Sequence, residues 1–212
     1  MISLESIPIK FDDLRKEKTA DKSMATLYHL PLCPFSRKVR LMLGEKKKNV
    51  ILKVEKPWEG RDAFFALNPA ETVPVFVDES GIALSDSRAI CEFLNESLKG
   101  IDLLGKDAYQ RAEIRRLVAW FDEKFNEEVG RNLVFEKVFK RQFGQGGPDS
   151  KVLREGMNNL HPHMEYIGWL TSRRNWLAGD SMTLADIAAA SHVSTLDYLG
   201  HIDWVKYSDA KE

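Results

Sequence analysis

The feature that most restricts this chain is a strand–helix–strand run near its start. Residues 26–30 have the apolar character of a short buried strand, and Pro31-Leu32-Cys33-Pro34 ends it. Beyond Pro34, the residues Phe35, Val39, Leu41, Met42 and Leu43 make an apolar side. Arg37, Lys38, Arg40, Glu45 and Lys46 are expected to face water, the pattern of an amphipathic helix. Residues 50–54 read as a second strand. Two strands joined by one helix lie parallel, with a right-handed crossover. A short helix over 61–67 follows, stopped by Asn68-Pro69. Residues 73–77 and 82–84, joined by the turn Asp78-Glu79-Ser80-Gly81, read as a hairpin, and 86–98 as a helix. The order predicts a small α/β sheet with helices on its faces.

Past residue 98 the pattern changes. Residues 98–105, with Gly100 and Gly105, read as a linker. After it, Ile114, Leu117, Val118, Phe121, Phe125 and Val129 recur at helical spacing on one face. Gly144, Gly146, Gly147 and Pro148 break that run, and Leu153, Met157, Leu160, Met164 and Ile167 mark another helix. Thr183-Leu184-Ala185-Asp186 has the form of a capping box, with Met182 and Ile187 as its staple, so Thr183 and Asp186 are assigned a structural role. The expected organisation is a flexible tail over 1–23, an α/β domain over 24–98, a linker over 99–106 and a helical domain over 107–212. Met24 is the expected start of the ordered domain.

Charge narrows the function. With 31 Lys and Arg against 32 Asp and Glu, the net charge of −1 offers no positive field for nucleic acid. At 43% hydrophobic residues there is enough apolar material to form a core. No apolar run approaches the roughly 20 residues that cross a bilayer, so membrane insertion is not expected. Two cysteines, Cys33 and Cys91, cannot build a disulfide framework. Without an export signal they point to the reducing cytoplasm.

Cys33-Pro34-Phe35-Ser36 is the main chemical candidate. Cys33 sits just before a helix N-terminus, where unpaired amides and the basic Arg37, Lys38 and Arg40 would favour a thiolate. Ser36 stands where a dithiol site has its second cysteine, so oxidation would give a mixed disulfide with an outside thiol. The competing reading is a buried, inert cysteine. Val73-Pro74 is the second feature. A cis bond would leave the Val73 backbone free to pair with an extended ligand, whereas a trans proline at a sheet edge would do nothing of the kind. Ser85-Asp86-Ser87 opens a helix whose first turn would suit a ligand carboxylate, with Asp86 facing a ligand ammonium; alternatively Ser85 merely caps it. His161 and His163 lack an evident third metal ligand, and no metal is expected. Trp58 reads as a partner anchor or a lid over the core, and Cys91 as core.

Together these pieces resemble the glutathione transferases. The element order, Cys33-Pro34-Phe35-Ser36, Val73-Pro74, Asp86-Ser87-Arg88-Ala89-Ile90 and Trp176-Leu177-Ala178-Gly179-Asp180 ahead of the capping box carry the likeness, which covers nearly everything from Met24 on. It implies a thioredoxin-like N-terminal domain, an all-α C-terminal domain without the family's last helix, and a homodimer. By resemblance Cys33 is the activating residue, of the omega-like and beta-like kind that favours thiol transfer over conjugation. Phe35, Val73, Pro74, Asp86 and Ser87 would bind glutathione as co-substrate. Asp86 replaces the more common Glu or Gln and reaches less far. Residues 24–40 and 117–125 are also similar to transferase-like bacterial cell-division proteins that bind FtsZ filaments, which implies a non-catalytic dimeric scaffold as the alternative.

Overall fold

The computed structural model describes residues 24–211; the expected tail, 1–23, lies outside them. Strand β1 (Thr26–His29), helix α1 (Pro34–Glu45) and strand β2 (Ile51–Val54) form the predicted unit. β1 and β2 pair in parallel, with Thr26 beside Ile51 and His29 beside Val54. β3 (Val75–Val77) runs antiparallel to β1, and β4 (Ala83–Ser85) antiparallel to β3, giving the order β2-β1-β3-β4. β3 starts two residues later than the pattern suggests, because Pro74 has no amide to give a ladder. Central strands β1 and β3 are buried throughout, while β2 is an exposed edge. Helix α2 (Asp62–Leu67) sets Phe64 against Tyr28, Val75 and Val77 on one face. On the other face α1 packs against α3 (Ser87–Ser97).

The second half is helical. Helix α4 (Ala108–Ala119) continues into a wider, π-wound segment, Trp120–Phe139, at whose end the Lys140 amide reaches back five residues to the Phe135 carbonyl. Helices α5 (Ser150–Thr171) and α6 (Leu184–Tyr198) complete it. The six apolar residues predicted for the long face, Ile114 to Val129, are all buried. α5 lies on the π-wound segment so closely at Gly156 that a Cβ there would sit 2.9 Å from the Leu133 side chain. At α6 the Asp186 carboxylate accepts from the Thr183 amide at 2.8 Å and from the Leu177 amide at 2.8 Å. Thr183 in turn accepts from the Ala185 amide at 3.3 Å. The capping box therefore fixes both a helix start and the loop before it.

One apolar cluster crosses from Leu27, Val39 and Met42 through Ile90 and Leu94 to Phe121, Leu133 and Leu184. The two halves share a core, and α1 is the element between them, packed on both α3 and α6. This corrects the expectation that Lys38 and Lys46 face water. Lys38 is fully buried and pairs with Asp122 of the π-wound segment. Lys46 is also buried, its Nζ donating to the Ile101 carbonyl at 2.6 Å and ending α1 against the linker. A helix pressed between two halves has no solvent face at those positions.

Candidate functional site

The site assembles where the start of α1, the approach to β3 and the start of α3 converge on the helical half. Cys33 is the residue before α1, with an extended backbone, and Pro34 opens the helix. Val73-Pro74 is a cis peptide. Asp86 precedes α3 at a left-handed φ of 70°, a conformation that costs a non-glycine residue about 1–3 kcal/mol and tends to occur at functional sites. Phe35, Thr72, Val73, Pro74, Asp86, Ser87, Arg88 and Asp122 line one cavity of about 340 Å³. All five residues expected to hold the ligand therefore share a single cleft. Thr72, Arg88 and Asp122 were given no ligand-holding role from the sequence.

The start of α3 differs from expectation. Asp86, not Ser85, caps it: one carboxylate oxygen accepts from the Arg88 amide at 2.8 Å and the Ala89 amide at 3.2 Å. Two first-turn amides offered to a ligand carboxylate are thus already taken. Ser87 lines the cavity beside them, and Arg88 donates to Glu123 at 2.6 Å across the gap to the helical half.

Cys33 lies where this cleft adjoins another, the two sharing Phe35, Thr72 and Val73. It lies in the wall of a second cavity, about 600 Å³, between the two halves. Leu30, Phe35, Val134, Phe135, Phe139 and Phe143 make this cavity mostly apolar. Trp58 meets the ring of Phe143, one of the residues lining this cavity, edge-on at 5.5 Å. Cys33 itself is 9% exposed, and its sulfur lies 4.0 Å from the Val73 carbonyl. Burial pushes the thiol above its ordinary 9.0. The backbone and hydroxyl of Ser36, the Phe35 amide and the Arg40 charge all pull the other way and do not overcome it. Of the two readings the sequence leaves open for Cys33, these surroundings favour the buried thiol, because desolvation outweighs the hydrogen bonds and the charge that would support a thiolate. Of the three nearby cations Arg40 is the one whose charge favours the thiolate most, while Lys38 pairs with Asp122 and Arg37 donates to Ser194 of α6 at 2.7 Å. Cys91, wholly buried, is pushed up to about 12 by desolvation and is core, as expected.

Beneath the first cavity sits a buried polar cluster. Asp122 pairs with Lys38, and its second oxygen lies 3.6 Å from the His192 Nε2. Burial would raise the Asp122 carboxyl, but the Lys38 ammonium paired with it holds it below its usual range. Burial also keeps His192 neutral, its pKa lowered, and Phe35 and Phe125 pack edge-on against its ring. That second Asp122 oxygen and both His192 nitrogens have no hydrogen-bond partner among the described residues. His163 is committed elsewhere, accepting from Trp120 Nε1 at 3.2 Å and meeting Glu128 at 2.8 Å, while His161 meets Tyr207 at 3.2 Å. Among the described residues no group of three or more acids, histidines or cysteines is placed to hold a metal ion, and no helix is long and apolar enough to cross a membrane.

Comparison with known proteins decides the family. The model of the glutathione S-transferase N-terminal domain matches residues 32–97. FtsZ-localized protein A of Caulobacter vibrioides is 43% identical over 189 residues, 88% of this chain and 83% of that protein. The chain belongs to the glutathione S-transferase family. Within this glutathione S-transferase family, a crystal structure of a member from Rhodospirillum rubrum is 48% identical, with a TM-score of 0.85, covering 89% of this chain and 85% of that one. The structure of FzlA from C. crescentus is 43% identical, with a TM-score of 0.84, over 89% of this chain and 84% of that one. The fold is accordingly the thioredoxin-like α/β domain followed by a helical domain.

Proposed function

We propose that this transferase-like protein works by association, as a dimeric, cytoplasmic scaffold on FtsZ filaments in bacterial cell division. The observation that carries the reading is the 43% identity to FtsZ-localized protein A across 83% of that protein. The state of Cys33 supports it. A thiol 9% exposed, with its pKa raised, is a poor nucleophile at neutral pH. The test is co-sedimentation with FtsZ polymerised by GTP. Enrichment in the pellet that depends on polymer is expected. A pellet fraction equal with and without polymer overturns the reading.

A second reading has its own support, the five ligand-holding candidates gathered round one cleft. Glutathione would lie along Val73 and Pro74, with Ser87 and Asp86 at its γ-glutamyl end and Phe35 beneath. In thiol transfer the Cys33 thiolate would attack the glutathione sulfur of a mixed disulfide, releasing the substrate thiolate. A second glutathione would then reduce Cys33 and leave as glutathione disulfide. Calorimetry with glutathione, and thiol-transfer assays of wild type and Cys33→Ser, separate the two. Binding together with activity lost on substitution favours transfer, and neither favours the scaffold.

A further inference from the structure

Strand β2 closes one side of the sheet, and its outer edge carries features that the cleft does not explain. The Ile51 amide bonds inward to the Ala25 carbonyl at 2.9 Å, and the Glu55 amide to the His29 carbonyl at 3.0 Å. In a parallel ladder alternate residues turn the same way, so Leu52 and Val54 direct their amides and carbonyls outward. β2 is last in the sheet order, and among the described residues no strand lies beyond it. The side chains follow suit: Leu52 is 51% exposed and Val54 58%. Both stand on the sheet face shared with Leu27 and His29, which are buried. An open edge with exposed apolar side chains is a template for another strand, and most folds blunt it.

Charge selects the occupant. Lys53, on the strand itself, is exposed, with its Nζ 5.3 Å from the centroid of the Tyr28 ring and no carboxylate partner among the described residues. Lys47, just before the strand, is exposed and has no carboxylate partner among the described residues. The acids that follow the strand are already neutralised, Glu55 by Arg61 and Glu59 by Lys56. Lys48 is likewise held by Glu79. The remaining acid of this stretch, Glu45, ends α1 five residues before Val50. A second copy of the same edge would bring Lys53 and Lys47 toward their own counterparts, which is repulsive. An acidic strand would meet them favourably.

We propose that the outer edge of β2 docks an extended, acidic peptide segment of a partner protein. The segment would add as a fifth strand: its backbone would bond Leu52 and Val54, its apolar residues would cover their side chains, and its carboxylates would face Lys53 and Lys47. Neither the family fold nor the FtsZ reading is needed for this, so the inference stands or falls separately from the proposed function.

The probe is a fluorescein-labelled peptide of alternating glutamate and valine, with a lysine–valine peptide and a glutamate–proline peptide as controls. Anisotropy is expected to show binding of the glutamate–valine peptide alone, since with its glutamates set against Lys53 the proline form has no amide at the alternate positions that would donate to Leu52 and Val54. Lys53→Glu and Lys47→Glu are each expected to weaken it about fivefold, the effect of turning a cross-strand charge pair from attractive to repulsive. Hydrogen exchange is expected to slow at Leu52 and Val54 on binding. Equal binding of the lysine–valine peptide, no change in the two variants, or protection confined to another region overturns the proposal. So does a dimer in sedimentation that Lys53→Glu strengthens or abolishes, because the edge would then belong to a second copy. Unchanged far-ultraviolet circular dichroism shows that the variants are folded.

Discussion

Lys38→Met tests the most unusual element of this core. The methionine keeps the length and apolar stem of the lysine and removes only its charge. Lys38 is fully buried and the Asp122 side chain is 4% exposed, so Asp122 would be left without its cation and without water. Breaking a buried pair in this way costs about 3–5 kcal/mol. For a domain of this size each kcal/mol moves the melting temperature by about 2–4 °C, so a drop of about 6–20 °C is expected. The paired substitution Lys38→Met with Asp122→Leu removes both charges. Its stability should lie within about 1–2 kcal/mol of wild type, because apolar replacements of a buried pair are often neutral or better. Urea unfolding at neutral pH measures all three proteins. If the single variant loses less than about 1 kcal/mol, or the double loses as much as the single, then Lys38 and Asp122 do not act as a charge pair and the reasoning fails.

Cys33 should alkylate slowly with iodoacetamide at neutral pH, with the rate still rising past pH 9, and Cys91 should react only on unfolding; a half-reacted point for Cys33 below the free-thiol value contradicts the burial argument. Stability should fall as pH drops below about 6.5, because His192 is held neutral in the fold while its unfolded counterpart takes up a proton. That one group contributes a slope of at most about 1.4 kcal/mol per pH unit, levelling off below its lowered folded pKa. A urea midpoint flat between neutral and mildly acid pH would count against it, and His192→Gln should flatten the wild-type profile. Asp186→Ala should cost about 1–3 kcal/mol in urea unfolding, since it strands the Thr183 and Leu177 amides together. Gly156→Ala should destabilise by about 1–3 kcal/mol through its clash with Leu133, read as an earlier thermal transition.

Much of the fold was legible because it follows from local rules. Pro34 at the first position of α1, Asn68-Pro69 after α2 and the Thr183–Asp186 box each fix a boundary through backbone chemistry that a few residues determine. The cleft was legible in part, since Val73, Pro74, Asp86 and Ser87 announce themselves by residue type. What failed depended on distant neighbours. Lys38 carries every local sign of a solvent-facing residue. Only the approach of Asp122, 84 positions away, turns it inward. The thiol of Cys33 was left open between two readings for the same reason. The helix N-terminus is a local fact, whereas the burial that opposes it arises only when the chain folds and sets Cys33 in the same cavity wall as Val134, Phe135 and Phe139 of the distant helical half. Asp122 falls within residues 117–125 and Lys38 within residues 24–40, the two stretches quoted for the likeness to FtsZ-binding proteins. Their pairing could have been sought there, but spacing alone gives no reason to join them.

The Lys38–Asp122 pair also limits how this chain could be rebuilt. Exchanging the helical half for that of another transferase would carry away the counter-ion of α1, and the recombinant would inherit a stranded ammonium at the seam. A working chimera would need an acid transplanted to the matching turn, or Lys38 replaced at the same time. The two halves are thus spliceable only as a matched set.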